Sequence, residues 1–422
     1  MLSLQRLRDD PDAIREGARV KGETAPVDDI LTLDAEARRL RADTEATRAE
    51  QRRAGAELRG APTAEQRQRL SSLKGRVQAG ETRLADLDAR IAELLLHVPN
   101  PPHPTVPVGG DESANVELRV EGARPTFSFT PRTHYELGEA MGMFDFERAA
   151  KLSGARFAVL RGAGPRLQRA LATLMLDTAT QEHGYSEIAP PFLVRREAMV
   201  GTANLPKFEE DAFHADDGLF LIPTAEVPVT NLYREEILDG ADLPIAHCAY
   251  TPCFRREAGS AGKDTRGYVR LHQFDKVELV RFVEPESSLD QLDLLVSHAE
   301  AVLRKLELHY RVLLMCTGDM GFAQWKKFDL EAWCPGLDRW LEVSSCSVFA
   351  DFQARRANIR YRPGAAEKPR FVHTLNGSAL AVPRTLDAVL ETHQRADGSV
   401  HIPPALRPYL NGTAQLGPGP PQ

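Results

Sequence analysis

Apolar residues return at alternating intervals of three and four along residues 70–98, which is the spacing of a helix with one buried seam. The series is interrupted at Gly80, and its members are Leu70, Leu73, Val77, Leu84, Leu87, Ile91, Leu94 and Val98. A weaker series with the same spacing covers residues 30–58, and no aromatic residue occurs between residues 28 and 98. The pattern predicts an antiparallel two-helix coiled coil, an arm over about residues 28–98.

A break at residues 60–62, Gly-Ala-Pro, divides the two helices, and Thr63 followed by Gln66 has the sequence of a helix-starting capping box. Each helix of about 35 residues would make the hairpin roughly 50 Å long. Paired in this way, Gly80 faces Thr47. Each glycine inside a helix costs roughly 1 kcal/mol relative to alanine. We therefore expect a soft outer arm, because three glycines lie in the helices: Gly55, Gly75 and Gly80.

Arginines outside the seam distinguish this arm from a plain coiled coil. They include Arg38, Arg39, Arg41, Arg48, Arg52, Arg53, Arg67, Arg69, Arg76 and Arg83. Basic side chains along a helix suit contacts to phosphates, which position a nucleic acid without reading its bases. A coiled coil that serves for oligomerisation or as a spacer is the alternative.

The proline-rich residues 99–110, PNPPHPTVPVGG, predict a stiff linker, because proline fixes φ and cannot continue a helix. The predicted organisation is an N-terminal domain at 1–98, the linker, and a second domain at 111–411. The Gly/Pro-rich residues 412–422 are predicted to be a disordered tail. A chain of 422 residues normally forms two or three domains.

Composition excludes some classes of protein. No apolar run approaches the ~20 residues of a membrane span, and the N-terminus lacks the apolar stretch of a secretory signal. The five cysteines form no CxxC pair and no zinc-type cluster, so we expect a cytoplasmic protein without zinc. The net charge of −7 argues weakly against a nucleic-acid partner, although a local basic surface can still bind RNA.

Residues 250–282 have the pattern of two strands around a glycine-rich loop, with charged residues collected on one face. These are Arg255, Glu257, Arg270, His272 and Glu278. A sheet face with this many charges suits the floor of a site for a charged ligand, and an exposed hairpin with solvated charges is the alternative. Arg266 in the loop and Arg384 on a later helix add cations that suit a nucleotide polyphosphate. Neither a P-loop nor a GxGxxG motif occurs.

At these residues the sequence resembles the class II aminoacyl-tRNA synthetases and, more narrowly, the seryl-tRNA synthetases. The resemblance rests on FRREAGSAGKDTRGYVRLHQFDKVE, on TAE at 224–226, on EVSS at 342–345, on CSVFADFQARRANIRYR and on TLNGSALAVPRTL, all in the family's order. It implies an α+β fold whose catalytic domain is an antiparallel sheet flanked by helices. Residues 167–194 resemble the helix and strand of motif one, which in this class belong to the dimer interface. An ordinary helix–strand unit fits those residues equally well.

By resemblance, Arg255 holds the α-phosphate of ATP and the serine carboxylate, and Arg266 reaches the γ-phosphate. Arg384 and Phe274 cover the two faces of adenine, and Glu257 accepts a hydrogen bond from its amino group. These three arginines are the implied catalytic residues. The implied ATP-binding set is Arg255, Arg256, Glu257, Arg266, Leu271, Phe274, Glu342, Val343, Ser344, Ser345 and Arg384. For Phe274, packing in the core is the alternative.

The resemblance further implies Mg²⁺ held by Glu342 and Ser345, since Mg²⁺ in such sites takes few protein ligands besides phosphates and waters. From the residues alone, Glu342 fits equally well as an ion-pair partner. The implied serine-binding set is Thr224, Ala225, Glu226, Arg255, Glu278 and Ser378.

The implied reaction is activation of L-serine with ATP, followed by transfer to tRNA(Ser), and also to tRNA(Sec), by a homodimer whose arm binds the tRNA. Class II enzymes for His, Pro, Thr or Gly usually carry a C-terminal anticodon domain, and they are disfavoured because only about forty residues follow Arg384. Related carrier-protein ligases lack the long arm. A catalytically dead paralogue should have lost at least one key residue, yet six are intact: Arg255, Glu257, Arg266, Glu278, Glu342 and Arg384.

Overall fold

A computed structural model describes residues 1–58, 60–258 and 267–417. The chain divides into two units, Met1–Pro101 and Pro102–Gln422, and the division falls inside the predicted linker. The helices of the first unit are α1 Leu4–Asp9, α2 Pro11–Val20, α3 Val27–Ala56 and α4 Ala64–Leu95.

Helices α3 and α4 pack against each other as the predicted hairpin, so the coiled-coil arm is confirmed. Helix α4 begins with the predicted capping box. The Thr63 hydroxyl accepts the Gln66 backbone N–H at 3.2 Å, and the Gln66 side chain accepts the Thr63 N–H at 2.9 Å. The predicted partner of Gly80 was wrong. Gly80 lies against Thr44, one helical turn from Thr47, and a Cβ built on Gly80 would lie 2.3 Å from the Thr44 hydroxyl oxygen.

All of the described strands lie in the second unit, which is built around one large sheet. In chain order the described strands are β1 Val116–Glu121, β2 Phe144–Asp145, β3 Val159–Leu160, β4 Ser186–Glu187, β5 Leu193–Val194, β6 Phe220–Leu221, β7 Ile237–Asp239, β8 Ile245–Phe254, β9 Gln273–Val283, β10 Tyr310–Leu314, β11 Lys326–Cys334, β12 Arg339–Val348, β13 Arg360–Arg362, β14 Arg370–Phe371, β15 His373–Ala381, β16 Val400–His401 and β17 Gln415–Leu416.

The large sheet has the order β1-β10-β11-β12-β15-β9-β8-β4. Neighbouring strands are antiparallel except for the short β4, which runs parallel to β8. The predicted antiparallel-sheet class is therefore confirmed. The helices of this unit are α5 His134–Ala140, α6 Phe146–Ser153, α7 Ala163–Asp177, α8 Arg196–Gly201, α9 Glu226–Thr230, α10 Ser288–Lys305, α11 Phe352–Ala357 and α12 Val382–Thr392.

Helices α7, α10 and α12 cover one face of the sheet and bury its apolar side chains. On β12 the alternation is plain: Leu341 and Val343 belong to this core, whereas Glu342 between them does not. Because side chains on a strand alternate between faces, the polar residues are left on the opposite face, where they can meet a ligand.

Several boundaries differ from the sequence pattern. Strand β9 begins at Gln273, which pairs with Phe254 at the end of β8. Residues 268–272 therefore do not belong to the strand. Helix α9 ends at Thr230. Glu235 has a φ of +63°, which a helix cannot accommodate, and β7 follows.

The C-terminal tail also differs from its prediction. Its residues Gln415–Leu416 form β17, which pairs with β16, so disorder over residues 412–422 is wrong for this part. Residues 418–422 lie outside the described residues.

Candidate active site

A cavity of about 640 Å³ opens on the polar face of the sheet, where residues of β9, β12 and β15 and of the first turn of α12 line it. Thirteen of the sequence-predicted site residues line it. They are Thr224, Glu226, Arg255, Glu257, Leu271, Phe274, Glu278, Glu342, Val343, Ser344, Ser345, Ser378 and Arg384. They come from segments more than 150 residues apart in the sequence, and the sheet brings them to one place.

Two predicted residues that the structure describes, Arg256 and Ala225, do not join this lining. Arg256 lies over the ring of Phe213, with 5.7 Å between its guanidinium carbon and the ring centroid. Ala225 is fully buried in a neighbouring apolar cluster. Both stand next to lining residues in the sequence, Arg255 and Thr224, and neighbouring side chains point in different directions. Arg266 lies outside the described residues.

Arg255 follows β8 directly and lies over Phe274 of β9, with 5.2 Å between its guanidinium carbon and the ring centroid. Its Nε donates to the Pro223 carbonyl at 3.3 Å. The backbone N–H of Arg255 donates to the His272 carbonyl at 2.9 Å. These contacts hold a half-buried cation against an aromatic face, an attractive arrangement beside a site for anions.

Glu257 is fixed by an ion pair that the sequence did not predict. Its carboxylate accepts from the Arg270 guanidinium at 2.6 Å, and its φ is +53°. A non-glycine residue in this region of φ is uncommon and costs energy that other contacts must offset. Arg270 belongs to the cavity lining as well.

Arg384 lies in the first turn of α12 and donates from Nη1 to the Glu342 carbonyl at 2.8 Å. The Glu342 carboxylate lies 3.6 Å from the same guanidinium and is 45% exposed as a side chain. Enclosure in the site raises the pKa of Glu342, but the charges of Arg384, Lys327, Arg255 and Lys276 lower that pKa by more. Glu342 therefore stays a carboxylate that can bind a cation.

Ser345 lies opposite Asp329 in the β11–β12 ladder, and Asp329 pairs with Lys327 at 3.0 Å. Burial raises the pKa of Asp329 to about 7, although the Lys327 charge opposes this. Ser344 is engaged elsewhere, because its hydroxyl donates to the Ser378 carbonyl at 2.6 Å.

No cluster of three or more His, Cys, Asp or Glu side chains suited to a metal occurs among the described residues. Glu342 with the Ser345 hydroxyl nevertheless fits a Mg²⁺ ion that takes its other ligands from phosphates and water.

At the other end of the cavity, two buried carboxylates share one amide. The Asn376 side-chain nitrogen donates to Glu226 at 2.7 Å and to Glu278 at 3.2 Å. Gln353 donates to the other Glu226 oxygen at 2.6 Å. Lys276 pairs with Glu278 at 2.7 Å. Ligands that present an ammonium or hydroxyl donor suit this acidic end.

Burial raises the pKa of Glu226 to about 7, and the nearby Glu278 carboxylate adds to the rise. Three further residues of this acidic end were not among the sequence-predicted site residues: Lys276, Gln353 and Asn376. Asn376 lies inside a motif that was quoted, TLNGSALAVPRTL, so its place two residues before Ser378 on β15 was a usable signal. Gln353 also lies inside a quoted motif, CSVFADFQARRANIRYR, but no strand spacing connected it to a predicted site residue.

On the arm, half of the arginines that the sequence singled out are engaged in ion pairs. Four pairs bridge the two helices: Arg41–Asp88, Arg48–Glu81, Arg69–Glu50 and Arg83–Glu36. Arg38 pairs with Asp34 on its own helix. The other five are exposed and make no ion pair with any described residue: Arg39, Arg52, Arg53, Arg67 and Arg76.

No helix among the described residues is long and apolar enough to cross a membrane. All five cysteines are buried and unpaired. Burial raises the pKa of Cys248 and Cys346 to about 12 each, so neither thiol ionises readily.

Comparison with known proteins gives two family matches. Residues 1–102 match the seryl-tRNA synthetase N-terminal domain, and residues 207–393 match the tRNA synthetase class II core domain (G, H, P, S and T). The serine–tRNA ligase of Thermomicrobium roseum is 52% identical, over 99% of this chain and 95% of that protein. The serine–tRNA ligase of Citrifermentans bemidjiense is 50% identical, over 99% and 100%. Among solved structures, the seryl-tRNA synthetase of Pyrococcus horikoshii complexed with ATP is similar, with a TM-score of 0.95, 38% identity and full coverage of both chains.

Proposed function

The chain belongs to the seryl-tRNA synthetase family, and on that premise we propose that it activates L-serine with ATP to seryl-adenylate and transfers serine to tRNA(Ser). The observation that carries the proposal is the single cavity. It joins an end rich in arginine, with Glu342, to an end with two buried carboxylates, and Arg255 lines the same space. Such a site suits a polyanion and a small amino acid side by side.

The activation step brings a serine carboxylate to the α-phosphate of ATP, so two anions must approach each other. Cations placed beforehand offset this repulsion and the charge that develops in the transition state. In the proposal Arg255 does so, and Arg266 holds the γ-phosphate. Arg384 and Phe274 enclose adenine, and Glu257 accepts from its amino group. Mg²⁺ held by Glu342 and Ser345 would supply further positive charge at the phosphates. No side chain is needed as the nucleophile, because the serine carboxylate attacks.

At the acidic end, Glu226 and Thr224 would accept the serine ammonium, and Glu278 would accept the serine hydroxyl. Ser378 donates to Glu278 at 3.3 Å and would help to orient it. A pocket built to hydrogen-bond a hydroxyl rejects analogues that lack it, because buried polar groups would be left without partners. Preference for serine over alanine follows from this chemistry.

Transfer to tRNA is proposed to use the arm, where the exposed Arg39, Arg52, Arg53, Arg67 and Arg76 make no ion pair with a described residue and can therefore meet phosphates. The same arm would serve tRNA(Sec), as the family resemblance implies.

A homodimer in the cytoplasm completes the proposal. Two half-exposed apolar residues after Pro191, Phe192 at 44% and Leu193 at 47%, favour an interface there. Light scattering that gives the monomer mass at micromolar concentration would argue against the dimer.

Pyrophosphate exchange into ATP, measured with each amino acid in turn, tests the activation step. Exchange should depend on serine and on Mg²⁺ and should not require tRNA. Faster exchange with threonine, glycine or alanine than with serine would refute the assignment of serine as substrate.

Removal of residues 33–94, bridged by a short turn, tests the arm. Exchange should persist, because every residue of the cavity lies in the second unit. Aminoacylation of serine tRNA should fall sharply. Aminoacylation at the intact rate and affinity would show that the arm is only a spacer.

A further inference from the structure

A buried cluster of titratable side chains lies behind the cavity wall, and the proposed reaction does not use it. Helix α5 contributes His134, and α12 contributes Asp387 and Glu391. All three side chains are fully buried. None of them lines the cavity.

The ring of His134 has two defined contacts. Nδ1 lies 2.8 Å from a Glu391 oxygen, and the backbone N–H of Tyr268 donates to Nε2 at 3.3 Å. A neutral ring with its proton on Nδ1 satisfies both. Glu391 is itself held in place, because it accepts backbone N–H groups of His134 at 2.8 Å, Gly336 at 2.8 Å and Leu337 at 3.1 Å. The orientation of the ring is therefore fixed by backbone geometry.

Through Tyr268 the ring is connected to the nucleotide half of the cavity. Tyr268 and Val269 both line the cavity. The Val269 carbonyl accepts from Arg384 Nε at 3.1 Å, and Arg384 also donates to the Glu342 carbonyl. A shift of the backbone at Tyr268 would therefore move one of the two groups that fix the Arg384 guanidinium.

Asp387 offers the His134 ring a second, incompatible partner. One Asp387 oxygen lies 3.7 Å from Nε2, and neither oxygen has a hydrogen-bond partner among the described residues. A buried carboxylate without donors is costly. A protonated ring would present an N–H to Asp387, but its Nε2 could then no longer accept from Tyr268. Only one of the two arrangements can exist at a time.

We propose that His134 is a positioning residue for nucleotide binding: the neutral ring holds the Tyr268 backbone and thereby Arg384, and the protonated ring releases Tyr268 and pairs with Asp387. The inference rests on the proposed function for its assignment of ATP to this end of the cavity. Its physical basis, two exclusive partners for one nitrogen, lies in contacts of this chain alone.

Taken together, burial and the neighbouring charges raise the pKa of His134 above its ordinary value. Burial lowers the pKa of His134, but Asp387 and Glu391 raise it by more, and Arg339 opposes them. Burial raises the pKa of Asp387 to about 7, with Glu391 adding to the rise and His134 and Arg384 opposing it. The ring gains its proton as the pH falls, so nucleotide binding should weaken towards acid pH. The titratable or charged groups around the pair are Tyr135, Tyr268, Cys334, Arg339, Arg384 and Glu391.

The test compares His134→Gln with His134→Leu and wild type. Gln can accept from the Tyr268 N–H but does not titrate, whereas Leu cannot accept. Affinity for a non-hydrolysable ATP analogue is measured by calorimetry from pH 6 to 8.5. Relative to His134→Gln, which corrects for ionisation of the analogue itself, wild type should lose about five-fold in affinity at the acid end, the effect of one ordinary hydrogen bond. His134→Leu should bind weakly at every pH.

Superimposed pH curves for wild type and His134→Gln would overturn the proposal, as would His134→Leu binding as tightly as wild type at pH 8.5. If the His134 variants do not fold, Asp387→Asn provides the test. In this variant the loss of affinity for the ATP analogue at acid pH should occur at lower pH than in wild type. The same pH dependence in both proteins would overturn the proposal. Serine-dependent exchange by wild type is measured in parallel. Its absence would refute the proposed function, whereas the nucleotide affinities report on His134 independently.

Discussion

The cavity and the arm both carry many charged residues, but they hold them in opposite ways. In the cavity, Glu226 and Glu278 are buried, and each accepts hydrogen bonds from side chains on other strands or helices. On the arm, pairs such as Arg41–Asp88 are about half exposed and join two neighbouring helices. An exposed ion pair contributes roughly 0.2–1 kcal/mol, whereas breaking a buried one costs about 3–5 kcal/mol. Single substitutions should therefore matter in the cavity, and only several together should matter on the arm.

The largest effect is expected at Arg255. Arg255→Ala should lower serine-dependent exchange by roughly 10²–10³, the usual cost of removing one preorganised charged group. Arg256→Ala is the matched control, because Arg256 lies over Phe213 and outside the cavity lining. Exchange rates and thermal melting are measured for both. Equal losses in the two variants, or retention of most activity by Arg255→Ala, would remove Arg255 from the proposed role.

Arg255 and Arg256 also show which features of the fold and the site could be predicted from the sequence. The apolar spacing predicted the arm, because a helix seam is a local pattern. The strand pattern and the family resemblance together predicted the antiparallel sheet and thirteen residues that line the cavity. Arg256 and Ala225 lie outside the lining although they belong to the same motifs, because side chains that are adjacent in sequence need not point into the same cavity.

The partners of the buried carboxylates were beyond the sequence. Gln353 lies in α11 and meets Glu226 only because the fold brings segments 127 residues apart together. No local pattern encodes such a contact. The positive φ of Glu235, which separates α9 from β7, is likewise imposed by its surroundings.

The next effect concerns the acidic end of the cavity. Glu278→Gln should lower the preference for serine over alanine by roughly 10- to 100-fold, part of the ~10⁴ that hydroxyl recognition can supply. Its KM for ATP should stay within about two-fold, because Arg384 and Phe274 are untouched. Exchange with both amino acids measures the ratio, and an unchanged ratio would contradict the role of Glu278.

From the acidic end of the cavity we also predict that the KM for serine depends on pH. The pKa of Glu226 is raised to about 7, so its carboxylate is lost as the pH falls through that value. The KM for serine should rise towards acid pH by up to about ten-fold per unit below the pKa. Glu226→Gln should flatten this part of the profile at a high KM. A wild-type KM for serine that is constant from pH 8 to pH 6 would contradict it.

A smaller effect separates free from paired arginines on the arm. Arg39, Arg67 and Arg76 are replaced together by Gln, and Arg41, Arg48 and Arg83 form the matched triple, so both variants lose three charges. Only the first triple lacks ion pairs with described residues. For the first triple, the slope of log affinity for serine tRNA against log salt should shrink by about 0.7–0.9 for each phosphate that is no longer neutralised. Equal slopes for the two triples would mean that the ion pairs do not decide which arginines bind tRNA.

The smallest effect concerns glycine substitutions in the arm, and it tests whether the exposed arm tolerates added side-chain atoms. Gly75 has no heavy atom within 4 Å of a built Cβ, whereas a Cβ on Gly80 would meet the Thr44 hydroxyl at 2.3 Å. Gly75→Ala should therefore stabilise the arm by roughly 1 kcal/mol through helix propensity. Gly80→Ala gains the same backbone contribution but must displace Thr44, which is buried, so it should not stabilise the arm. Hydrogen exchange of the mid-arm amides in the full chain reports both changes. Adding Thr44→Ala to Gly80→Ala removes the clash and should restore slow exchange. If Gly80→Ala alone slowed exchange as much as Gly75→Ala, the two arm helices could accommodate the added methyl group. The contact with Thr44 would then not limit the stability of the arm.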